Sequence, residues 1–111
     1  MSRSLFKDVL KIIEELPGNH KFGIGNQLSR STSSIALNIA EGSGKSSAKD
    51  LNRYLDIALG SAYETLASLD LLREIGLLSG AEFEKLLTSI NSIANQLGGF
   101  KKKLKASLST S

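Results

Sequence analysis

The chain has 111 residues, no cysteine, a single histidine and a formal charge of +3. That length gives one domain with a core of useful size, and the missing thiols exclude disulfides and thiolate metal sites. No apolar run approaches the roughly 20 residues of a membrane span, and the start, MSRSLFKDVLKIIEEL, is amphipathic rather than a signal peptide, so a cytoplasmic protein with no membrane partner is expected.

The net charge is unevenly spread. Lys101, Lys102, Lys103 and Lys105 have no acid near them, and setting those four aside from the 14 Lys and Arg leaves ten basic against 11 acidic residues. A basic surface therefore comes mostly from the C-terminal tail, and it speaks to anionic partners rather than to fold.

Apolar residues recur at helical spacing throughout. The first helix is predicted over residues 4–16, with Leu5, Val9, Ile12 and Leu16 as its buried face, flanked by Phe6, Leu10 and Ile13. Arg3, Lys7 and Lys11 fall four apart on the exposed side. Pro17-Gly18-Asn19 stops this helix, because Pro disfavours helical geometry in the residue before it and Gly-Asn suits a turn. His20 follows. Nothing local supplies it with a nucleophile, an acid or further metal ligands, so it reads as a surface residue.

A second helix is predicted over about 24–41, with Ile24, Leu28, Ile35 and Ile39 as core seam. Ser29, Ser33, Ala36 and Ala40 form a line of small side chains that invites close approach of a neighbouring helix. Gln27, Arg30, Ser34, Asn38 and Glu41 line up as a polar stripe with three readings: solvent, an interhelix or intersubunit hydrogen-bond network, or a ligand site. A carboxylate at a helix C-terminus meets the negative end of the dipole and needs a cation, for which Lys45 or Arg53 is available. Asn38 and Glu41 are accordingly expected to be structural polar groups held by another helix.

The segment Gly42-Ser43-Gly44-Lys45-Ser46 imitates the end of a phosphate-binding loop. The first glycine that pattern requires falls on Ile39, an amphipathic helix precedes it in place of a strand, and no strand ending in a magnesium-binding Asp is evident. Gly42 reads instead as the C′ glycine of one helix, Ser43 and Gly44 as the turn, and Ser47 with Asp50 as the cap of the next.

The third helix, about 48–75, has a core face of Leu51, Leu55, Ala58, Ala62, Leu66 and Leu69, widened by Tyr54, Leu59, Tyr63 and Leu72. A second stripe, Ile57, Gly60, Glu64, Ala67, Leu71 and Ile75, lies on the far side. A small bundle has no central helix, so the surplus apolar face implies self-association. Lys49 and Arg53, with Lys45 just before, make a short basic row diluted by Asp50 and Asp56.

Gly76 ends this helix, and Ser79 with Glu82 forms a capping box for the fourth. Phe83, Leu86, Ile90, Ile93, Leu97, Phe100 and Leu104 continue a seam with spacings of three and four through Gly98-Gly99. Residues 1–105 make the bundle domain, and 106–111 a small, polar tail expected to fray.

The runs Gln27-Leu28-Ser29-Arg30-Ser31, Ser34-Ile35-Ala36-Leu37-Asn38-Ile39-Ala40-Glu41-Gly42-Ser43-Gly44-Lys45 and Leu55-Asp56-Ile57-Ala58-Leu59-Gly60-Ser61-Ala62-Tyr63-Glu64 resemble the bacterial four-helix bundle proteins encoded by intervening sequences of 23S ribosomal RNA genes. The accessory variability protein of diversity-generating retroelements looks like a relative. The resemblance covers nearly the whole chain. It implies an all-α, up-down-up-down antiparallel bundle assembling as a homopentamer, with Arg30, Asn38, Glu41, Gly42, Gly60 and Glu64 as scaffold or assembly positions and no catalytic residue. For the retroelement relatives it further implies a partner reverse transcriptase and RNA. The relatives that act on nucleic acid are strongly basic, and this body without its tail is not.

The function expected is therefore a non-enzymatic oligomeric bundle, without cofactor, metal or small-molecule substrate. It would contact RNA or a nucleoprotein through Lys101, Lys102, Lys103 and Lys105, then Arg3, Lys7, Lys11, Lys45, Lys49 and Arg53, mainly at the phosphate backbone. Both Tyr and most Phe fall at core positions, which argues against stacking of bases. Ile57, Leu71 and Ile75 would belong to the assembly surface. The alternative is a purely structural or protein-interaction module whose lysine tail only solubilises.

Overall fold

A computed structural model describes residues 2–110 of the chain, with side chains from residue 4 to residue 107. Four long helices make up the molecule, with no strand among the described residues: α1 (Ser2–Glu15), α2 (Asn26–Ser43), α3 (Ala48–Glu74) and α4 (Gly80–Thr110). Leu5, Val9, Ile12 and Leu16 bury the expected face of α1. Pro17, extended at φ −56° and ψ 147°, breaks the helix.

Between α1 and α2 the chain keeps turning, first as a single helical turn, Gly18–His20, and then as a π turn, Lys21–Gly25, that leads into α2. Gly25 closes this elbow against α1. A Cβ there would make ordinary contact with Ile13 and Leu16, each 3.5 Å away, and would crowd only the His20 carbonyl at 3.3 Å, within the elbow itself. His20 is half-buried in the elbow rather than on the open surface.

The remaining junctions follow local chemistry. Ser47 Oγ accepts the Asp50 backbone N–H at 3.1 Å and caps α3. At the other end Gly76 adopts φ +81°, the Gly76 N–H reaches Arg73 O and the Leu77 N–H reaches Leu72 O at 2.9 Å. That pair of bonds is a Schellman closure, which needs left-handed backbone and hence glycine. Ser79 Oγ accepts from the Glu82 N–H at 3.1 Å and starts α4.

Helices α2 and α3 pack most extensively and run antiparallel. Ser34 meets Ser61 and Ser31 meets Thr65, with 2.9 Å between each pair of hydroxyl oxygens, so moving back along α2 is moving forward along α3. Farther along, Gly42 opposes Leu51 and Tyr54. Helices α3 and α4 are likewise antiparallel: Arg73 lies over the Phe83 ring beside their connection, while Lys101 reaches Asn52 and Asp56 at the far end. One core joins all four helices, with Leu28, Ile35, Leu69, Leu72 and Ile90 fully buried at its centre. Truncating such a residue to Ala typically costs 2–5 kcal/mol. The molecule measures 52 × 23 × 18 Å, its long axis following the 31-residue α4.

Several expectations are corrected. Gly42 is not a C′ glycine: it lies inside α2, which runs on to Ser43, and it is buried. A Cβ there would come within 2.8 Å of Tyr54 Cβ, so glycine is required by helix-to-helix proximity. The line of Ser29, Ser33, Ala36 and Ala40 stays half-buried or exposed, and the face pressed on α3 is Ser31, Ser34, Ile35 and Gly42. Tyr63 and Phe100, placed in the core by spacing, are exposed. The α4 seam is buried only through Leu97, with Leu104 half-buried, because the last turns outrun the helices that could cover them. Helix α4 is continuous through Gly98-Gly99.

Candidate nucleic-acid interface and uncovered apolar face

Antiparallel packing of α2, α3 and α4 carries the end of α2, the start of α3 and the last turns of α4 to one end of the bundle. That end carries Lys45, Lys49 and Arg53 as well as Lys101, Lys102, Lys103 and Lys105, with Lys101 reaching Asn52 and Asp56, although some fifty residues separate the two groups in sequence. Lys101, Lys102 and Lys105 line one shallow cleft with Asn52 and Gly98. Lys49, Arg53, Lys102, Lys103 and Lys105 are exposed.

Not every cation at this end is free. The Lys101 ammonium is hydrogen-bonded to Asp56 and lies 3.3 Å from Asn52 Oδ1. It ties α4 to α3. Lys45 sits 3.5 Å from Glu41 Oε1 and 5.3 Å from the centre of the Tyr54 ring, which Arg53 approaches to 4.9 Å. Tyr54 thus holds two cations in place through its ring face. The loop that imitates a phosphate-binding motif joins two helices, with its lysine engaged by Glu41 and Tyr54.

The α1 residues do not join this group as one patch. Lys11 lies across a cleft of about 250 Å³ from Glu82 and Lys85 at the start of α4, the end opposite the lysine tail, with Asp8 and Glu15 beside it. Lys7 is exposed one turn earlier, and the side chain of Arg3 lies outside the described residues. At the same opposite end Asp70 bonds the Arg73 guanidinium and, by that bond and by its charge, raises the arginine above its ordinary pKa.

The polar stripe of α2 divides. Ser34 bridges to Ser61, and Gln27 Nε2 donates to Glu64 Oε1 at 3.5 Å, so two members reach across to α3. Asn38 does not: its Nδ2 donates to Ser34 O and Ser34 Oγ, both at 2.8 Å on its own helix. Glu41 finds its cation in Lys45, four residues on, and is mostly exposed. The expected holding of Asn38 and Glu41 by another helix is therefore corrected, and the interhelix role passes to Ser31, Ser61 and Thr65. Three buried hydroxyl residues at spacings of four and three in α3, Ser61, Thr65 and Ser68, could have signalled this only with the facing residues of α2 known.

Ile57, Gly60, Glu64, Ala67, Leu71 and Ile75 are all exposed, Leu71 and Ile75 to 54% each. Leu37 on α2, exposed to 66%, adds to the uncovered apolar surface. Gly60 sits within this stripe, and a Cβ there would meet nothing within 4 Å, so no contact inside the chain requires glycine.

Fold and surface together define an all-α four-helix bundle protein with a cationic end and an uncovered apolar helix face. Among the described residues it has no metal-binding cluster and no helix long and apolar enough to cross a membrane. The chain belongs to the 23S rRNA-intervening sequence protein family, whose model matches residues 1–99. Among solved structures it is similar to a protein of unknown function from the S23 ribosomal protein family of Bacteroides thetaiotaomicron VPI-5482, at 26% identity and a TM-score of 0.85, covering 91% of this chain and 94% of that one. No curated protein matches the sequence. The family match stops just short of Phe100 and the lysine tail.

Proposed function

We propose that the protein is a non-enzymatic, self-associating cytoplasmic bundle that binds RNA, alone or within a nucleoprotein such as one containing a reverse transcriptase, through its cationic end. The observation that carries this reading is that the start of α3, with exposed Lys49 and Arg53, and the last turns of α4, with exposed Lys102, Lys103 and Lys105, share one end of the molecule, where Lys101 reaches Asn52 and Asp56. Phosphates are the ligand such a group takes most readily, and each one neutralised releases counterions. Self-association multiplies the effect, because every copy brings another set of tail lysines.

Assembly would use the apolar stripe of α3. Leaving Ile57, Leu71 and Ile75 in water forgoes burial worth roughly 25 cal/mol per Å². A homopentamer is the assembly we propose, with a mass in light scattering about five times the 11.9 kDa of the chain. A single-subunit mass at micromolar concentration would rule out self-association.

RNA binding is tested by fluorescence anisotropy of a labelled RNA across a salt series. The expected log affinity falls with log salt by about 0.7 per phosphate contacted on a single strand. Changing Lys102, Lys103 and Lys105 together to Ala should weaken binding and flatten that slope by about 2. No binding at low salt would remove the claim.

The alternative reading, a protein-interaction module with no nucleic-acid role, draws on the engagement of Lys101 and Lys45 by acids of the same chain. Deleting everything after Phe100 separates the two: partner binding survives under the alternative and collapses under the first.

A further inference from the structure

At the cationic end a cleft of about 290 Å³ opens between α2 and α4, with Ile39 and Ser43 on one wall, Gln96 and Phe100 on the other, and Leu51 and Leu55 of α3 between them. The described part of α1 does not reach this level. Gly25 lies beside Ile13 and Leu16, and from it α2 runs 18 residues to Ser43, about 27 Å at a rise of about 1.5 Å per residue. From Ile13 back to Ser2 there are 11 residues, or about 17 Å. The apolar seams of the other three helices therefore continue into a corner that α1 leaves open.

Phe100 is 47% exposed here, which removes the objection that the phenylalanines are committed to the core. Lys103, also exposed, follows one turn later on the same side of α4. No acid lines the cleft, and none follows Glu84 in the sequence. Its polar groups are Ser43, whose Oγ donates to Ile39 O at 2.8 Å, and Gln96, whose Nε2 donates to Ser92 Oγ at 3.4 Å. The serine lone pairs and the glutamine carbonyl are left for the edge of a ligand. Such a site takes a flat, largely apolar ring with an anion close by, and a nucleotide joins the two covalently. An acidic amphipathic helix also carries apolar groups and anions, but it inserts side chains over two or more turns, and this cleft is at the lower limit of ligand-site volumes.

We infer that this cleft binds an unpaired base of single-stranded RNA, stacked on Phe100 with Ser43 and Gln96 at its edge and Lys103 on the adjoining phosphate. This rests on the RNA-binding reading above and adds selectivity to it. The tail lysines attract any polyanion, whereas only a splayed base can reach an aromatic ring set in a cleft. The site is compatible with assembly, because Leu51 and Leu55 lie on the core side of α3, opposite the stripe of Ile57, Leu71 and Ile75.

The test compares two labelled strands by fluorescence anisotropy at physiological salt: a mixed-sequence single-stranded RNA of about 12 nucleotides, and an abasic strand with the same number of phosphates. The wild-type chain should prefer the strand with bases by about fivefold or more, the worth of one stacked base. Phe100→Ala should bring that strand down to the affinity of the abasic one, Phe100→Tyr should keep the preference, and Gln96→Ala should reduce it. Unchanged helical circular dichroism shows that each variant folds. Equal affinity for the two strands, or a preference that survives Phe100→Ala, overturns the inference and gives the cleft to another occupant, such as an apolar segment of a protein partner. The cationic-end reading then stands provided that changing Lys102, Lys103 and Lys105 to Ala weakens both strands. Binding of neither strand overturns both.

Discussion

Two glycines bear opposite relations to their surroundings, and each makes a prediction. Gly42 lies where α3 comes closest to α2, so the added methyl of Gly42→Ala must push Tyr54 or Leu51 aside. The intrinsic helix preference for Ala, about 1 kcal/mol, is outweighed, and denaturant unfolding should show a net loss of about 1–2 kcal/mol. Gly60 has open space around it. Gly60→Ala should therefore stabilise the isolated fold by up to about 1 kcal/mol, while the bulkier Gly60→Leu should lower the assembled mass if a sister subunit packs there. At Gly76, φ is +81°. Gly76→Ala should cost about 1–2 kcal/mol in the same measurement, because a Cβ is strained in that region. Neighbouring charges behave similarly. Asp56 occupies Lys101, so Asp56→Asn should free an ammonium and raise RNA affinity a few-fold at low salt, seen as tighter anisotropy titrations.

At the scale of the helix, α3 was readable from its spacing alone, including the surplus stripe that nothing in the chain covers. Its core members Leu55, Ala58, Ala62, Leu69 and Leu72 are buried as expected, and Ile57, Leu71 and Ile75 are exposed as expected. Replacing Leu71 and Ile75 together by Asp should leave helical circular dichroism unchanged and shift light scattering to the single-subunit mass. Helix α4 was legible as far as Leu97. Beyond it the apolar period persists but burial does not, because periodicity records which face a residue occupies and not whether another helix reaches that level. Phe100 and Tyr63 were misplaced for this reason. The polar residues of α2 were misread for a related one: Asn38 bonds within its own helix and Ser34 across to Ser61, and a stripe on one helix cannot reveal which of its members has a partner opposite.

For the whole molecule the consequence is electrostatic. The tail lysines looked isolated in the sequence, but antiparallel packing brings them to the end of the bundle that carries Lys49 and Arg53, with Lys101 on Asn52 and Asp56, while Lys11 is carried to the other end among Asp8, Glu15 and Glu82. Truncation after Phe100 should thus remove the salt-sensitive part of RNA binding and also the Lys101 tie to α3, with a small loss of thermal stability, since a partly exposed ion pair contributes about 1 kcal/mol or less.

The one-dimensional pattern determined which segments become helices, where Pro17, Gly76 and the capping serines Ser47 and Ser79 end or begin them, and which residues of each helix are apolar enough to meet a core. Those are local matters of backbone preference and period. Which charges stand together, which glycine is pinned by a crossing helix and which aromatic rings face water depend on the level at which one helix meets the next. Only the packed bundle decides those, because they are properties of pairs of residues far apart in the chain.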